Sequence, residues 1–180
     1  IEQLQQIQNP AAKRQAVLDF AMNCGVFHDV GIINFISLFT RTARQWFDEE
    51  YEITQLHTIV GNKRLATCAS TRAYAAAALG HHSWYDGSHG YPETYKRLTC
   101  PCRQMVDVIG LIDWLDNSIS RAWLYGHTKR NFDEAILAAL LLEGKRFSPL
   151  LTARLRDKAI VEKLRQRFVS ARLEAYGQLY

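Results

Sequence analysis

The 180-residue chain is predicted to adopt an all-α fold. Three observations predict it. Apolar residues recur at helical spacing in most segments, helix-start residues stand before several of them, and strand-like alternation is weak throughout. The exception is one stretch rich in glycine, proline and aromatic residues, Ser83–Cys102, which reads as a long structured loop.

The elements follow in order. Pro10–Asn23 starts with proline in a first helical turn and places Val17, Phe20 and Ala21 on one face, with Gly25 expected to interrupt it. Val26–Phe39 is apolar and is expected to include a buried helix. Glu49–Leu65 is polar with scattered apolar positions, and Gly61 is expected to break it. Ser70–His82 is alanine-rich and reads as a closely packed helix. Met105–Ile119 is a long apolar helix carrying Asp107, Asp113 and Asp116. Asn131–Glu143 has an N-cap in Asn131 and Glu134 three residues on, and Gly144 ends it. Ser148–Pro149 opens another helix, and Asp157–Tyr176 is the last. No internal repeat appears, and residues 1–180 are expected to form one domain.

Hydrophobic residues make up 48% and charged residues 22%, which matches an ordinary soluble globular chain. No continuous apolar run reaches the roughly 18 residues of a membrane span, and the first residues show no signal-peptide pattern. No membrane insertion and a cytoplasmic location are therefore expected. The chain begins with Ile rather than Met, so it is expected to be a piece of a longer protein. The net charge of +4 gathers near the C-terminus in Arg154, Arg156, Lys158, Lys163, Arg165 and Arg167. The favoured reading is a solvated helix face with acidic neighbours such as Asp157 and Glu162. Nucleic-acid binding is the alternative, with charge as its only support. Cys24, Cys68, Cys100 and Cys102 contain no CxxC pair, so reduced thiols are expected rather than a disulfide framework or a zinc knuckle.

The histidines and acids carry the chemistry. His28, His57, His81 and His82 lie in or beside apolar, helix-like segments. Asp29 follows His28 directly, between Phe27 and Val30, and Asp113 sits within an apolar helix. Placing carboxylates there is costly without a cation. A divalent metal would satisfy acids and imidazoles together, and this donor mixture suits Mn, Fe, Zn or Ni more than Ca. One such histidine is usually a hydrogen-bonded core residue. An HD pair, two further histidine sites and an intrahelical aspartate are much harder to produce by core packing alone.

Their order also matches a known pattern. The phrases are HDVGI at His28–Ile32, HTIVG at His57–Gly61, HHSWYDGSHGYP at His81–Pro92, LIDWLDN at Leu111–Asn117 and GKRFSP at Gly144–Pro149. Over roughly Cys24 to Leu155 the chain resembles the HD metal-dependent phosphohydrolases, and within them the HD-GYP group. That group writes these phrases HDIGK, HPxxG, HHExxDGSGYP, VADxxDA and GxxFDP.

The resemblance implies an all-α HD-domain bundle with a structured GYP loop. It implies a bacterial signalling phosphodiesterase that hydrolyses a cyclic dinucleotide such as cyclic di-GMP. His28, Asp29, His57, His81, His82 and Asp113 would be the metal ligands, with Asp29 bridging two metals and His28 and Asp29 the candidate catalytic pair. Two divalent ions are implied, three at most, with Fe or Mn favoured. Ions about 3.5–4 Å apart clamp a phosphodiester and lower the pKa of a bridging water. The resulting hydroxide attacks phosphorus. The GYP loop implies substrate-binding roles for Asp86, Gly87, Ser88, Tyr91 and Pro92; Lys96 and Arg97 just beyond it could meet phosphate, with ordinary surface charge the favoured alternative. Trp84 and Tyr85 have two equal readings, stacking on a base or bracing the loop. His89 and His127 are expected at the surface. A homodimer and further domains of a longer signalling protein are the implied partners.

The chain departs from the pattern in places. Ile32 stands where the family has a lysine beside the phosphate, and Ser83 replaces a glutamate. The family's earlier histidine, about 30 residues before HD, would precede Ile1, and Glu2 is not assigned that role. An alternative therefore stands: a degenerate module that binds metal, nucleotide or a partner protein without turnover.

Overall fold

The computed structural model describes residues 6–39, 46–120 and 130–177. Among them the fold is all-α, and the only β feature is an isolated bridge between Glu143 and Phe147. The α-helices are α1 (Pro10–Phe27), α2 (Ile36–Phe39), α3 (Asp48–Gln55), α4 (His57–Ala66), α5 (Ala75–Gly80), α6 (Arg103–Ser120), α7 (Phe132–Leu141), α8 (Pro149–Thr152) and α9 (Lys158–Gly177). Short 3-10 turns cover Val30–Phe35, Arg72–Tyr74, Arg97–Thr99 and Ala153–Arg156.

Local signals explain several boundaries. The Asn9 side chain accepts from the backbone N–H groups of Ala11 and Ala12, and Pro10 follows it, so α1 starts there. Asn131 and Glu134 form a reciprocal capping box at the start of α7, as their spacing predicts. Gly144 has a φ of 74° in the turn that follows.

Gly25 and Gly61 correct the expected breaks. Helix α1 runs through Gly25 to Phe27, because Cys24 is anchored in the core beside Ala77 and Ile109 while Gly25 faces open space. Gly61 lies inside α4, where its missing side chain admits the turn carrying Gly31. The 26–39 segment is also not the expected buried helix. Gly31 alone is buried in its 3-10 turn, and Ile33 and Ile36 are exposed. The segment presses the backbone at Gly31 against α4, with the Phe27 and Val30 side chains packing beside it. Ser70–His82 divides into a 3-10 turn and α5, with Ala75, Ala77, Ala78 and Gly80 buried as close packing requires.

The largest core cluster joins α6, α7 and the C-terminal elements through Leu111, Leu115, Ile119, Ala135, Ile136, Ala139, Phe147 and Leu155. Smaller clusters join α1, α5 and α6 through Cys24, Ala77 and Ile109, and α4 to α5 through Leu65 and Ala78. Arg165 pairs with Asp133 and Glu162, and Arg156 with Glu143, so among the described residues two of the six basic residues of the C-terminal stretch have acidic partners. All four cysteines are free thiols.

The stretch Pro10–Leu38 is long and apolar enough, by length and composition, to cross a membrane, although it contains no uninterrupted apolar run of that length. It also contains His28 and Asp29, whose side chains face α4, α5 and α6.

Candidate metal centre

The six expected ligands converge from four places in the fold. His28 caps the C-terminus of α1, and Asp29 follows it. His57 is the first residue of α4, His81 and His82 follow α5, and Asp113 lies in the middle of α6. Glycines allow the elements to approach. A Cβ on Gly31 would lie 2.0 Å from the His57 carbonyl oxygen, and one on Gly110 would lie 2.3 Å from that of His81. The glycines of HDVG and HTIVG therefore serve one contact, which holds Asp29 against His57.

Backbone carbonyls orient the imidazoles. Nδ1–H of His28 donates to the Gly25 carbonyl at 2.6 Å, and that of His57 to Thr54 at 2.6 Å. His81 Nδ1–H donates to Ala77 and Ala78 at 3.0 and 3.1 Å. A carbonyl can only accept, so in the neutral ring Nε2 keeps its lone pair, as a metal ligand requires.

Those lone pairs point at the acids. His57 Nε2 and His81 Nε2 lie 3.3 and 3.4 Å from Asp29 Oδ1, and 3.3 Å from each other. His28 Nε2 lies 3.6 Å from Asp29 Oδ2 and 3.6 Å from Asp113 Oδ1. His82 Nδ1 is 3.8 Å from Asp113 Oδ2. Two ligand groups result: Asp29 with His57, His81 and His82, and Asp29 with His28 and Asp113. Asp29 belongs to both. Its Oδ1 is buried without a hydrogen-bond partner, which is costly unless a cation sits there. The residues present therefore fit a divalent metal site.

The crowded acids and imidazoles shift one another's protonation. Burial opposes charge on His28, but the bond to Asp113 and the charges of Asp29 and Asp113 outweigh it and raise the pKa to about 9. Burial opposes charge on Asp29 too, yet His81, His28 and His57 hold its pKa down at about 2. Burial, followed by the neighbouring His81, lowers His57 and places His82 well below the usual histidine range.

Asn117 was not singled out from the sequence. It donates from Nδ2 to Asp113 Oδ1 at 2.8 Å and so steadies that carboxylate. Its signal was the four-residue spacing on one helix face. Asp116, given no metal role, stays outside both ligand groups, and Ser120 donates to it.

The GYP loop divides. The Tyr91 ring packs on His82 with centroids 4.6 Å apart, and Pro92 follows it through a cis peptide. Asp86, Gly87 and Ser88 are exposed. The Asp86 carboxylate accepts from the Ser88 N–H and hydroxyl, and Gly87 has a φ of 74°. Arg97 lies against the Tyr85 ring and forms two bonds to Asp107, so its guanidinium is engaged by that carboxylate. Trp84 packs on His89, and the Tyr85 N–H donates to the Arg146 carbonyl. His89 is exposed, as expected. His127 and Glu2 lie outside the described residues.

Fold and site together define an all-α protein with a shared-carboxylate histidine–aspartate cluster able to hold metal. No family model and no curated protein matches the chain.

Proposed function

We propose that the chain is a metal-dependent phosphodiesterase of the HD-GYP kind, acting on a cyclic dinucleotide such as cyclic di-GMP. The single observation that carries this reading is Asp29, one carboxylate shared by two ligand groups. A shared carboxylate suits two ions held side by side, and the order of the motif phrases supports the family reading.

His28, Asp29 and Asp113 would hold one ion, and Asp29, His57, His81 and His82 the other, a donor set that suits Mn, Fe, Zn or Ni and that the resemblance narrows to Fe or Mn. Bound there, two divalent ions would clamp phosphodiester oxygens and acidify a water between them. The chain's own residues keep the imidazoles in register through carbonyl bonds, anchor Asp113 through Asn117 and wall the cluster with Tyr91.

Ile32 favours a second reading. Half-buried and three positions past Asp29, it offers no charge to a phosphate. The chain would then bind metal or nucleotide without turnover.

Cyclic di-GMP turnover with Mn or Fe(II), followed by product chromatography beside a His28→Ala, Asp29→Ala double variant, tests both readings. Hydrolysis by the native chain alone supports the phosphodiesterase. Metal uptake without hydrolysis supports the binding module. Equal metal content in native chain and double variant sinks the ligand assignment.

A further inference from the structure

We infer that Arg146 is the anion-recognition residue of this site and binds a phosphate oxygen of the substrate. This rests on the phosphohydrolase reading for the identity of the ligand, but not for the presence of an anion site.

Arg146 lies in the turn between α7 and α8 and is half-buried. Its guanidinium lies 5.7 Å from the Trp84 ring centroid, 5.6 Å from Trp114 and 5.7 Å from Phe147. It lines a small pocket together with His81, His82, Ser83, Gly110 and Asp107, the last of which is engaged by Arg97, so it shares a wall with the ligand cluster. Its charge is close enough to act on His82, and Asp113 and Tyr91 act on it in turn.

Among the described residues no acid pairs with this guanidinium. Arg97 pairs with Asp107, Arg156 with Glu143 and Arg165 with Asp133. The segments outside the described residues contain one acidic side chain, Glu2. A partly desolvated cation without a counter-ion is unfavourable, and an incoming anion relieves that cost. Aromatic rings stabilise a guanidinium from its faces and leave its N–H edge for two parallel bonds to a phosphate. Asp113 lies nearby but forms no ion pair with Arg146; it accepts from Asn117 and faces His28 and His82. The pocket therefore brings the Arg146 guanidinium to a wall shared with His81 and His82, where a phosphate oxygen arriving at the ligand cluster would meet a cation.

The test titrates inorganic phosphate into the full chain, with and without Mn. Calorimetry and the fluorescence of the tryptophans report binding, and metal content is measured in parallel. Arg146→Gln is expected to weaken phosphate binding about tenfold or more, the scale of one charge-assisted bond, with metal content unchanged. Arg146→Lys keeps the charge but not the fork, and is expected to recover only part of the affinity. It also serves as the readable variant if Arg146→Gln does not fold. Native affinity in either folded variant overturns the inference, as does a wild-type chain that takes up no phosphate in either condition. A wild-type chain that binds phosphate through Arg146 but no metal would uphold the anion site while overturning the metal-dependent reading.

Discussion

Gly31 and His57 are in backbone contact: a Cβ on Gly31 would lie 2.0 Å from the His57 carbonyl oxygen and 2.7 Å from the Gly61 nitrogen. No side-chain rotation can relieve that overlap, since both obstacles are main chain. Gly31→Ala must therefore separate the 3-10 turn from α4. The expected cost is on the order of 1–3 kcal/mol, the usual scale of overpacking. Asp29 is carried on the same turn, so metal uptake should fall along with the melting temperature. A variant with unchanged melting and metal content would show that this contact does not position the site.

Ile32 gives an opposite kind of variant. Ile32→Lys places a charge three positions past Asp29 at a half-buried position whose side chain reaches partial solvent. Any hydrolytic rate is expected to rise about tenfold, the effect of one added phosphate contact. Initial-rate measurements on a well-folded variant check this, and a lower rate counts against a phosphate-facing role for the position.

Metal binding should be proton-coupled, with a sign set by His28. Without metal its pKa is raised to about 9, so it carries a proton at pH 7, whereas a ligand imidazole must be neutral. His57 and His82 are shifted downward and have no such proton to lose, and Asp29 is ionised above about pH 2. Affinity should therefore weaken as pH falls below about 9, on the order of tenfold per unit for one released proton. Titration of Mn by calorimetry in buffers of different ionisation enthalpy counts the protons. Zero release at pH 7 would refute the coupling.

The thiols should separate by reactivity. Cys68 is exposed, and a hydrogen bond to Ser70 lowers its pKa, which favours thiolate. Burial pushes Cys24 and Cys102 up to about 12. Brief treatment of the native chain with iodoacetamide near pH 8 should modify Cys68 first, as read by peptide mass mapping. Early labelling of Cys24 or Cys102 would contradict the packing around them.

Much of the site was legible because its signals are residue types that apolar helices seldom tolerate. Asp29 beside Phe27, and Asp113 within an apolar helix, ask for a cation wherever they are met. The Asn131–Glu134 box was equally readable, since a cap operates within one turn of chain. Arg97 shows the limit. A cation next to the GYP phrase suggested phosphate, but its partner is Asp107, ten positions away on α6. Arg146 shows the converse: an ordinary basic residue in sequence, it lacks an acidic partner among the described residues and lies beside His82.

By itself the sequence determined the all-α class, the candidate ligand types and the helix caps, because periodicity, donor chemistry and capping are local properties. Tertiary structure alone decided that Gly61 continues a helix, that Asp29 belongs to two ligand groups, and which arginine pairs with an acid. Those outcomes depend on which distant backbones and charges come within a few ångströms of one another, and neither propensity nor spacing along the chain encodes that.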